Sequence, residues 1–442
     1  MNNDVYHQGT SYGKIELPPF SWRKIPYQTL REAEWSTDIQ ADMGTIGTAG
    51  GGPWFREITI HEGSIETPFH SFRFDPLTGR IMSLFDKQQD WEVLDLSSPW
   101  TLFQYVQETV DPIYQMNNRS TIFPRDVERG NNSLSDWNHD WKARRQTYTQ
   151  LKFCRVERSA YSASLILSWD APGVKGLEQK YTFFSYKPDI EMKASFFKQD
   201  ITAPEGTYFA IPLNLQVWRC HYDTAGQLVE LDAQQLPGVC RDYITVDKSV
   251  SVYDRQYGVT MSCPDAPLVQ VGDFNFGKEQ QTIEKKENPL LLAWPMNNYW
   301  DTNFRGRQPG AVEFVYTLST FQSFDPATVM MTSARATASV YATPVVDCRE
   351  EEAGQFLRID GDGVQIFDVK PAEEGRGILV RLINCMDQET DARLQFPNRK
   401  IEAAFRTDAL EQIQTNISDM QCDSLKITLG AKEMIHLLIL IE

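Results

Sequence analysis

The sequence predicts an all-β protein, and two observations lead to this prediction. Apolar and polar residues alternate along many short segments, as in strands that bury one face of a sheet. Residues 190–196 are one example, with Glu191, Lys193 and Ser195 on the polar face. Helical periodicity is missing over most of the chain, and Asp, Asn, Gly and Pro residues mark turns between the segments. Long strands with one polar face indicate large antiparallel sheets packed as a sandwich.

The chain opens with a lead-in segment, predicted over residues 1–54. It contains proline and aromatic residues around positions 17–22 and ends in a Gly-rich stretch at residues 44–53. Such a composition is typical of a flexible linker or a long loop.

A hairpin is predicted directly after the lead-in. His70, Phe72 and Phe74 alternate with polar residues, and residues 75–79 (DPLTG) supply a turn. A second apolar segment follows at residues 81–85, so the two segments are expected to pair.

Two sandwiches of different size are predicted from the spacing of the strands. Residues 55–325 contain long strands, and we assign them to one large sandwich. From about residue 326 to the end, at residue 442, the strands are shorter and closer together. Strands of this length and spacing are typical of a small β-sandwich of immunoglobulin-like size.

Composition and charge limit the partners that the chain can have. The 442 residues carry 43 Lys and Arg against 60 Asp and Glu, a net charge of −17. This field repels nucleic acid and anionic membrane surfaces, so neither is expected as a partner. Aromatic residues make up 12% of the chain, and their flat faces suit both strands and sugar rings.

Cysteine and histidine patterns give no sign of a metal or disulfide framework. The seven cysteines are odd in number and lack a CxxC pair, and the six histidines lack HxxxH spacing. No cofactor is therefore expected in this chain. Since the first residues are polar and no long apolar run occurs, a cytoplasmic location is expected.

Several segments resemble, in order along the chain, the C-terminal β region of glycoside hydrolase family 38, the α-mannosidase-like enzymes. The segments are residues 74–87 (FDPLTGRIMSLFDK), 205–212 (EGTYFAIP), 254–259 (DRQYGV), 297–304 (NNYWDTNF) and 407–411 (TDALE). Hairpins with Asp and Gly are common, so the shared order is the specific part of the resemblance.

The resemblance implies a galactose-mutarotase-like antiparallel supersandwich followed by a small β-sandwich. Family members cleave α-mannosidic bonds with a carboxylate nucleophile and a zinc ion, both held in an N-terminal α/β domain. This sequence shows no α/β pattern and no counterparts of those groups. The resemblance therefore implies a region that binds an α-mannoside and helps to enclose it, while a missing or separate catalytic domain performs the reaction.

The strongest candidate for sugar contacts is the segment at residues 297–307 (NNYWDTNFRGR). Amides and carboxylates make directional bonds to sugar hydroxyls, and Tyr and Trp supply stacking faces. The alternative is that the aromatic residues pack between sheets while the asparagines fix a turn. The candidate ligand-binding residues are Asn297, Asn298, Tyr299, Trp300, Asp301 and Asn303.

Two other functions remain open from the sequence. A self-contained sugar epimerase or hydrolase would need His70, His139 or His221 to meet a carboxylate. A glycosidase needs two carboxylates about 5 Å apart if it retains configuration, and no motif singles out such a pair. The third alternative is a non-catalytic carbohydrate-binding protein.

Overall fold

The computed structural model describes residues 11–12, 17, 19–25, 36–37, 39–41, 58–110, 143–159, 161–278, 280–299, 306–338, 353–373 and 375–442. β-Strands make up most of the regular structure in these ranges. The all-β fold class predicted from the sequence is confirmed.

The strands that precede the helix are β1 (Ser11–Tyr12), β2 (Ser21–Arg23), β3 (Ser36–Thr37), β4 (Ile39–Ala41), β5 (Thr59–His61), β6 (Ser64–Glu66), β7 (His70–Phe74), β8 (Ile81–Asp86), β9 (Trp91–Glu92), β10 (Gln104–Val110), β11 (Ala143–Thr147), β12 (Gln150–Arg158), β13 (Ser162–Asp170), β14 (Val174–Phe184), β15 (Ile190–Lys198), β16 (Glu205–Pro212), β17 (Arg219–Thr224), β18 (Gln227–Glu230), β19 (Ile244–Thr245), β20 (Ser249–Tyr253), β21 (Tyr257–Ser262), β22 (Leu268–Gly272), β23 (Leu290–Asn297) and β24 (Gly310–Gln322).

The helix is α1 (Pro326–Thr337), and the strands that follow it are β25 (Ala353–Gln355), β26 (Arg358–Asp360), β27 (Val364–Pro371), β28 (Ile378–Asn384), β29 (Thr390–Gln395), β30 (Ile401–Thr407), β31 (Ile413–Asn416), β32 (Ser424–Leu429) and β33 (Met434–Ile441).

The described residues divide into two compact units. The first takes its residues from Met1–Tyr12, Ser36–Thr224 and Val229–Phe324. The second takes its residues from Gly13–Trp35, Ala225–Leu228 and Asp325–Glu442. The predicted domain boundaries at residues 54 and 325 stay predictions, and the Gly-rich stretch at residues 44–53 lies outside the described residues.

Three antiparallel sheets build most of the first unit. The ten-stranded sheet has the order β18-β17-β20-β21-β24-β15-β14-β13-β12-β4, and the six-stranded sheet has the order β11-β10-β16-β23-β22-β19. The five-stranded sheet is the meander β5-β6-β7-β8-β9. One continuous apolar core contains residues from all three, among them Phe72, Leu165 and Phe209.

The alternation seen in the sequence matches the burial in β15 and in the first hairpin. Residues 190, 192, 194 and 196 are buried, and the polar residues between them are only partly covered. In the hairpin, Asp75 fixes the turn, because its Oδ1 accepts the Leu77 amide hydrogen at 2.9 Å. Its main-chain oxygen accepts the amide hydrogen of Gly79, whose φ of 67° lies in the left-handed region. These two local patterns were therefore readable from the chain alone.

The second unit is a small sandwich of two sheets. Its five-stranded sheet has the order β27-β28-β33-β30-β31, and its three-stranded sheet has the order β26-β29-β32. Apolar residues of both sheets, such as Val380 and Leu394, form a single core. A short pair, β2 with β25, belongs to the same unit.

Helix α1 was not predicted from the sequence, although its start carries a recognisable signal. Asp325 is the N-cap, and its carboxylate accepts the amide hydrogen of Thr328 at 2.9 Å. Pro326 occupies the first turn, where its missing N–H costs nothing.

Candidate functional site

The predicted sugar-contact segment begins at the end of β23, a central strand of the six-stranded sheet. Leu291 and Ala293 face the main core, and Leu292 and Trp294 face a second apolar cluster on the other side of the sheet. Since both faces are covered, the strand is apolar throughout instead of alternating. The strand therefore holds Asn297 firmly at the start of the segment.

Asn298 uses its side-chain amide to fix a neighbouring turn. Its Oδ1 accepts the amide hydrogen of Glu205 at 2.6 Å. Its Nδ2 donates to the main-chain oxygens of Ile201 at 3.1 Å and Ala203 at 3.0 Å. The main-chain N–H of Asn298 also donates to the Glu205 oxygen at 3.1 Å. These contacts give Asn298 the turn-fixing role that the sequence analysis kept as the alternative to sugar binding.

Tyr299 is fully buried in the apolar cluster of the six-stranded sheet. Its ring stacks on Phe276 with centroids 4.9 Å apart, and its hydroxyl donates to Glu108 Oε1 at 3.0 Å. The close approach needs glycine on the strand below, because a Cβ on Gly206 would lie 2.9 Å from the Tyr299 hydroxyl oxygen. Tyr299 therefore anchors the segment from inside the sheet.

Glu108 is a buried carboxylate whose charge is compensated. Arg145 donates to its Oε2 from Nε at 2.8 Å and from Nη2 at 2.7 Å. Tyr208 donates its hydroxyl to Oε1 at 3.3 Å. Burial, and then the charge of Glu108, raise the pKa of Tyr208 well above its ordinary value. The phenol therefore stays protonated and acts as a donor to the carboxylate, not as a base.

A second buried carboxylate, Glu205, lies on the turn that Asn298 fixes. Its Oε1 accepts a hydrogen bond from Lys198, and its Oε2 accepts one from Gln107 Nε2 at 2.5 Å. Lys198 also donates to the main-chain oxygen of Gly173 at 3.3 Å. Glu205 is 3% exposed and Lys198 is 7% exposed, so the pair is shielded from solvent. Both carboxylates thus serve as structural anchors.

The far end of the segment returns to the same turn. Arg307 Nη1 pairs with Asp200 Oδ1 at 2.7 Å, and both side chains are partly exposed. Residues 298 and 307 are therefore both tied to the turn at residues 200–205, and we call residues 298–307 the anchored loop. Trp300, Asp301 and Asn303 lie outside the described residues, so the prediction that they contact a sugar stays a prediction.

The histidines named for the epimerase alternative are not presented to solvent where the structure describes them. His70 is 2% exposed, and its Nε2 has no hydrogen-bond partner among the described residues. Burial lowers the pKa of His70 to about 4, although Asp86 acts in the opposite direction. His221 shares a hydrogen bond of 2.9 Å with the Tyr253 hydroxyl and is 9% exposed. His139 lies outside the described residues.

In the described ranges, no three His, Cys, Asp or Glu side chains are grouped as a metal site would require. None of the helical residues described forms a helix long and apolar enough to cross a membrane.

Known proteins resemble this chain in one domain sequence and in fold. Residues 363–435 match the family model described as the glycosyl hydrolases family 38 C-terminal beta sandwich domain. The resemblance to family 38 is confirmed. No curated protein sequence matches the chain.

Two solved structures from Enterococcus faecalis share the fold over most of this chain. One is an α-mannosidase of strain V583, with 13% identity, a TM-score of 0.59, and coverage of 92% of this chain and 45% of that one. The other is a protein of glycosyl hydrolase family 38, with the same identity, score and coverage of this chain, and 47% coverage of its own. This chain therefore spans about half the length of these two family 38 structures.

The solved structure of a galactose mutarotase-like protein from Lactobacillus casei also aligns with part of this chain. It shows 8% identity and a TM-score of 0.34, with coverage of 60% of this chain and 100% of that one.

Proposed function

We propose that this chain is the β region of an α-mannosidase-like glycoside hydrolase, in which it binds an α-mannoside and completes the substrate cleft. The catalytic groups would lie in a separate domain or subunit. The family 38 match over residues 363–435 supports the proposal, as does the fold shared with an α-mannosidase over 92% of this chain.

The main support for this sugar-binding site is that the anchored loop is fixed at both ends. Asn298 bonds to the main chain of the turn at residues 200–205, and Arg307 pairs with Asp200 in the same turn. A loop whose ends are fixed can present polar groups at defined positions, which reduces the entropy lost when a ligand binds. Trp300 would supply a stacking face, and Asp301 and Asn303 would bond sugar hydroxyls.

Substitution of Asp301 tests this role. Losing one hydrogen bond to a charged group costs about 1.5–3 kcal/mol, so Asp301→Ala should weaken binding of methyl α-mannoside by roughly ten- to hundred-fold. The melting temperature should change little. Titration calorimetry measures the affinity, and Asp170→Ala, at a partly exposed carboxylate outside the anchored loop, is the control. A large drop in melting temperature, together with no sugar binding by the wild type, would assign Asp301 to the fold instead.

The chain alone should not hydrolyse an aryl α-mannoside. Two of its buried carboxylates, Glu108 and Glu205, are already engaged by Arg145 and Lys198. Glycosidase chemistry needs carboxylates that reach the scissile bond from both sides. Release of 4-nitrophenol from 4-nitrophenyl α-mannoside by the purified chain, with or without added zinc, would contradict the proposal that a separate domain or subunit holds the catalytic groups.

A reducing compartment such as the cytoplasm fits the cysteines. Among the residues that the structure describes, Cys154, Cys220, Cys263, Cys385 and Cys422 are free, and Cys220 and Cys263 are buried. Burial raises the pKa of both thiols, which keeps them protonated and unreactive.

A further inference from the structure

The first unit has a second surface with features of a sugar site, at the end of β15. Phe197 is 52% exposed there. Together with Lys175, Ser195, Ala311 and Glu313 it lines an open depression of about 480 Å³.

Small neighbours leave the ring of Phe197 accessible. Phe197 lies opposite Lys175 on β14 and opposite Ala311 on β24. The register of β14 shifts after Lys175, and Gly176 follows with a φ of 61°. A Cβ on Gly176 would have no atom within 4 Å, so the space beside the ring is open.

The position of the ring is fixed by the core below it. Phe196 is buried, and its ring lies 6.1 Å from that of Phe314 and 6.3 Å from that of Tyr105, measured between centroids. Successive side chains of a strand point to opposite faces, so burial of Phe196 directs Phe197 outward. A preorganised exposed ring avoids the ordering cost that a mobile side chain adds to binding.

The charges around the ring are balanced. Lys193 Nζ pairs with Glu313 Oε2 at 2.7 Å, and both side chains are partly exposed. Lys175 is exposed nearby and Glu178 lies opposite Ser195 on β14, so these four side chains carry two positive and two negative charges. A depression with both signs of charge and a hydroxyl from Ser195 offers donors and acceptors without a net field, which suits a neutral ligand rich in hydroxyl groups.

We propose that this depression binds a neutral oligosaccharide, with one sugar ring against Phe197 and its hydroxyl groups bonded to Glu313 and Lys175. The residues of the depression lie outside the anchored loop, so the site does not depend on the proposed function. It adds a contact for a second part of an extended glycan.

The test uses mannotriose and cellotriose as probes, with saturation-transfer NMR and titration calorimetry on the full chain. Phe197→Ala should weaken trisaccharide binding by about tenfold or more, and Phe197→Trp should retain it, because a ring is kept. Phe153→Ala, at another exposed Phe on β12, should bind as the wild type does. Because Phe197 is half exposed, its substitution should leave the melting temperature nearly unchanged.

Three results would overturn the proposal. One is that neither trisaccharide binds the wild type at millimolar concentration, and another is that Phe197→Ala binds as tightly as the wild type. The third is a wild-type dimer in sedimentation that Phe197→Ala dissociates, since the surface would then join two copies of the chain. Methyl α-mannoside binding that depends on Asp301, together with trisaccharide binding that is unchanged in Phe197→Ala, would leave the proposed function in place while this site fails.

Discussion

Tyr299 donates its hydroxyl hydrogen to Glu108, a residue 191 positions earlier in the chain, with 3.0 Å between Oη and Oε1. The bond joins the first residues of the anchored loop to β10. Tyr208 donates to the same oxygen at 3.3 Å from β16, outside residues 298–307. The two phenols therefore share a partner and differ in what each one positions.

Replacing each of these two tyrosines by Phe should separate the effect on fold stability from the effect on the position of the anchored loop. Tyr299→Phe removes a bond to a charged group and should lower the free energy of unfolding by about 1.5–3 kcal/mol. It should also weaken methyl α-mannoside binding, since the loop loses its inner anchor. Tyr208→Phe, with the longer bond, should cost less stability and leave affinity unchanged. Urea unfolding and calorimetry measure both quantities, and equal affinity loss in the two variants would contradict the anchoring role.

The buried pair of Lys198 and Glu205 should be sensitive to removal of one partner. Among the described residues, Lys198→Met leaves the buried Glu205 carboxylate with Gln107 as its one side-chain donor, and we expect the free energy of unfolding to fall by about 3–5 kcal/mol. Lys152→Met breaks an exposed pair with Asp170 and should cost about 0–1 kcal/mol. Denaturant unfolding of both variants gives the comparison. Similar losses would mean that the Lys198 pair contributes no more than a surface pair.

Two glycines in the left-handed region allow the cost of a steric conflict to be separated from the cost of backbone strain. A Cβ on Gly79 would lie 2.8 Å from Cζ2 of Trp169, whereas a Cβ on Gly176 would meet no atom within 4 Å. Both have φ above 60°, so alanine costs each about 1–2 kcal/mol of strain. Gly79→Ala should cost a further 1–3 kcal/mol, roughly, for the steric conflict. Equal losses in thermal unfolding would show that Trp169 moves aside freely.

Acid stability should depend on His70. Burial lowers its pKa to about 4 in the folded protein, against 6.5 in a model peptide, while Asp86 and Asp189 raise the pKa and Lys87 lowers it. Between these values the unfolded chain binds a proton that the folded protein does not, so stability falls as the pH falls from 6.5 to 4. The total is up to about 3 kcal/mol, and none of it is lost above pH 6.5.

The neutral variant His70→Gln should lack this loss. Urea unfolding at several pH values between 4 and 7 gives the free energy of unfolding for both proteins. The wild-type curve should fall relative to the variant below pH 6.5. Parallel curves would show that His70 takes up its proton equally in the folded and unfolded states.

The structural features that could be predicted from the sequence are those set by residues close together along the chain. The hairpin of β7 and β8 follows from alternation and from the Asp75 turn, and the buried face of β15 follows from its period of two. The anchors of the site could not be predicted in this way. Asn298 bonds to residues 93 to 97 positions away and Tyr299 to one 191 away, so only the folded sheets bring these groups together.

The fixation of the anchored loop at both ends has a consequence for variation of this protein. Its anchors are Asn298 and Tyr299 on one side and Arg307 on the other, and their bonds reach the turn at residues 200–205 and Glu108. We therefore expect a variant with a different sequence at positions 300–305 to keep these anchoring bonds, because each bond is made by a residue outside those positions. Closing a loop of altered length costs only about 0.6 kcal/mol per doubling. The sandwich thus holds the two ends of the loop at fixed positions, and we expect that different ligand-binding sequences can be placed between them.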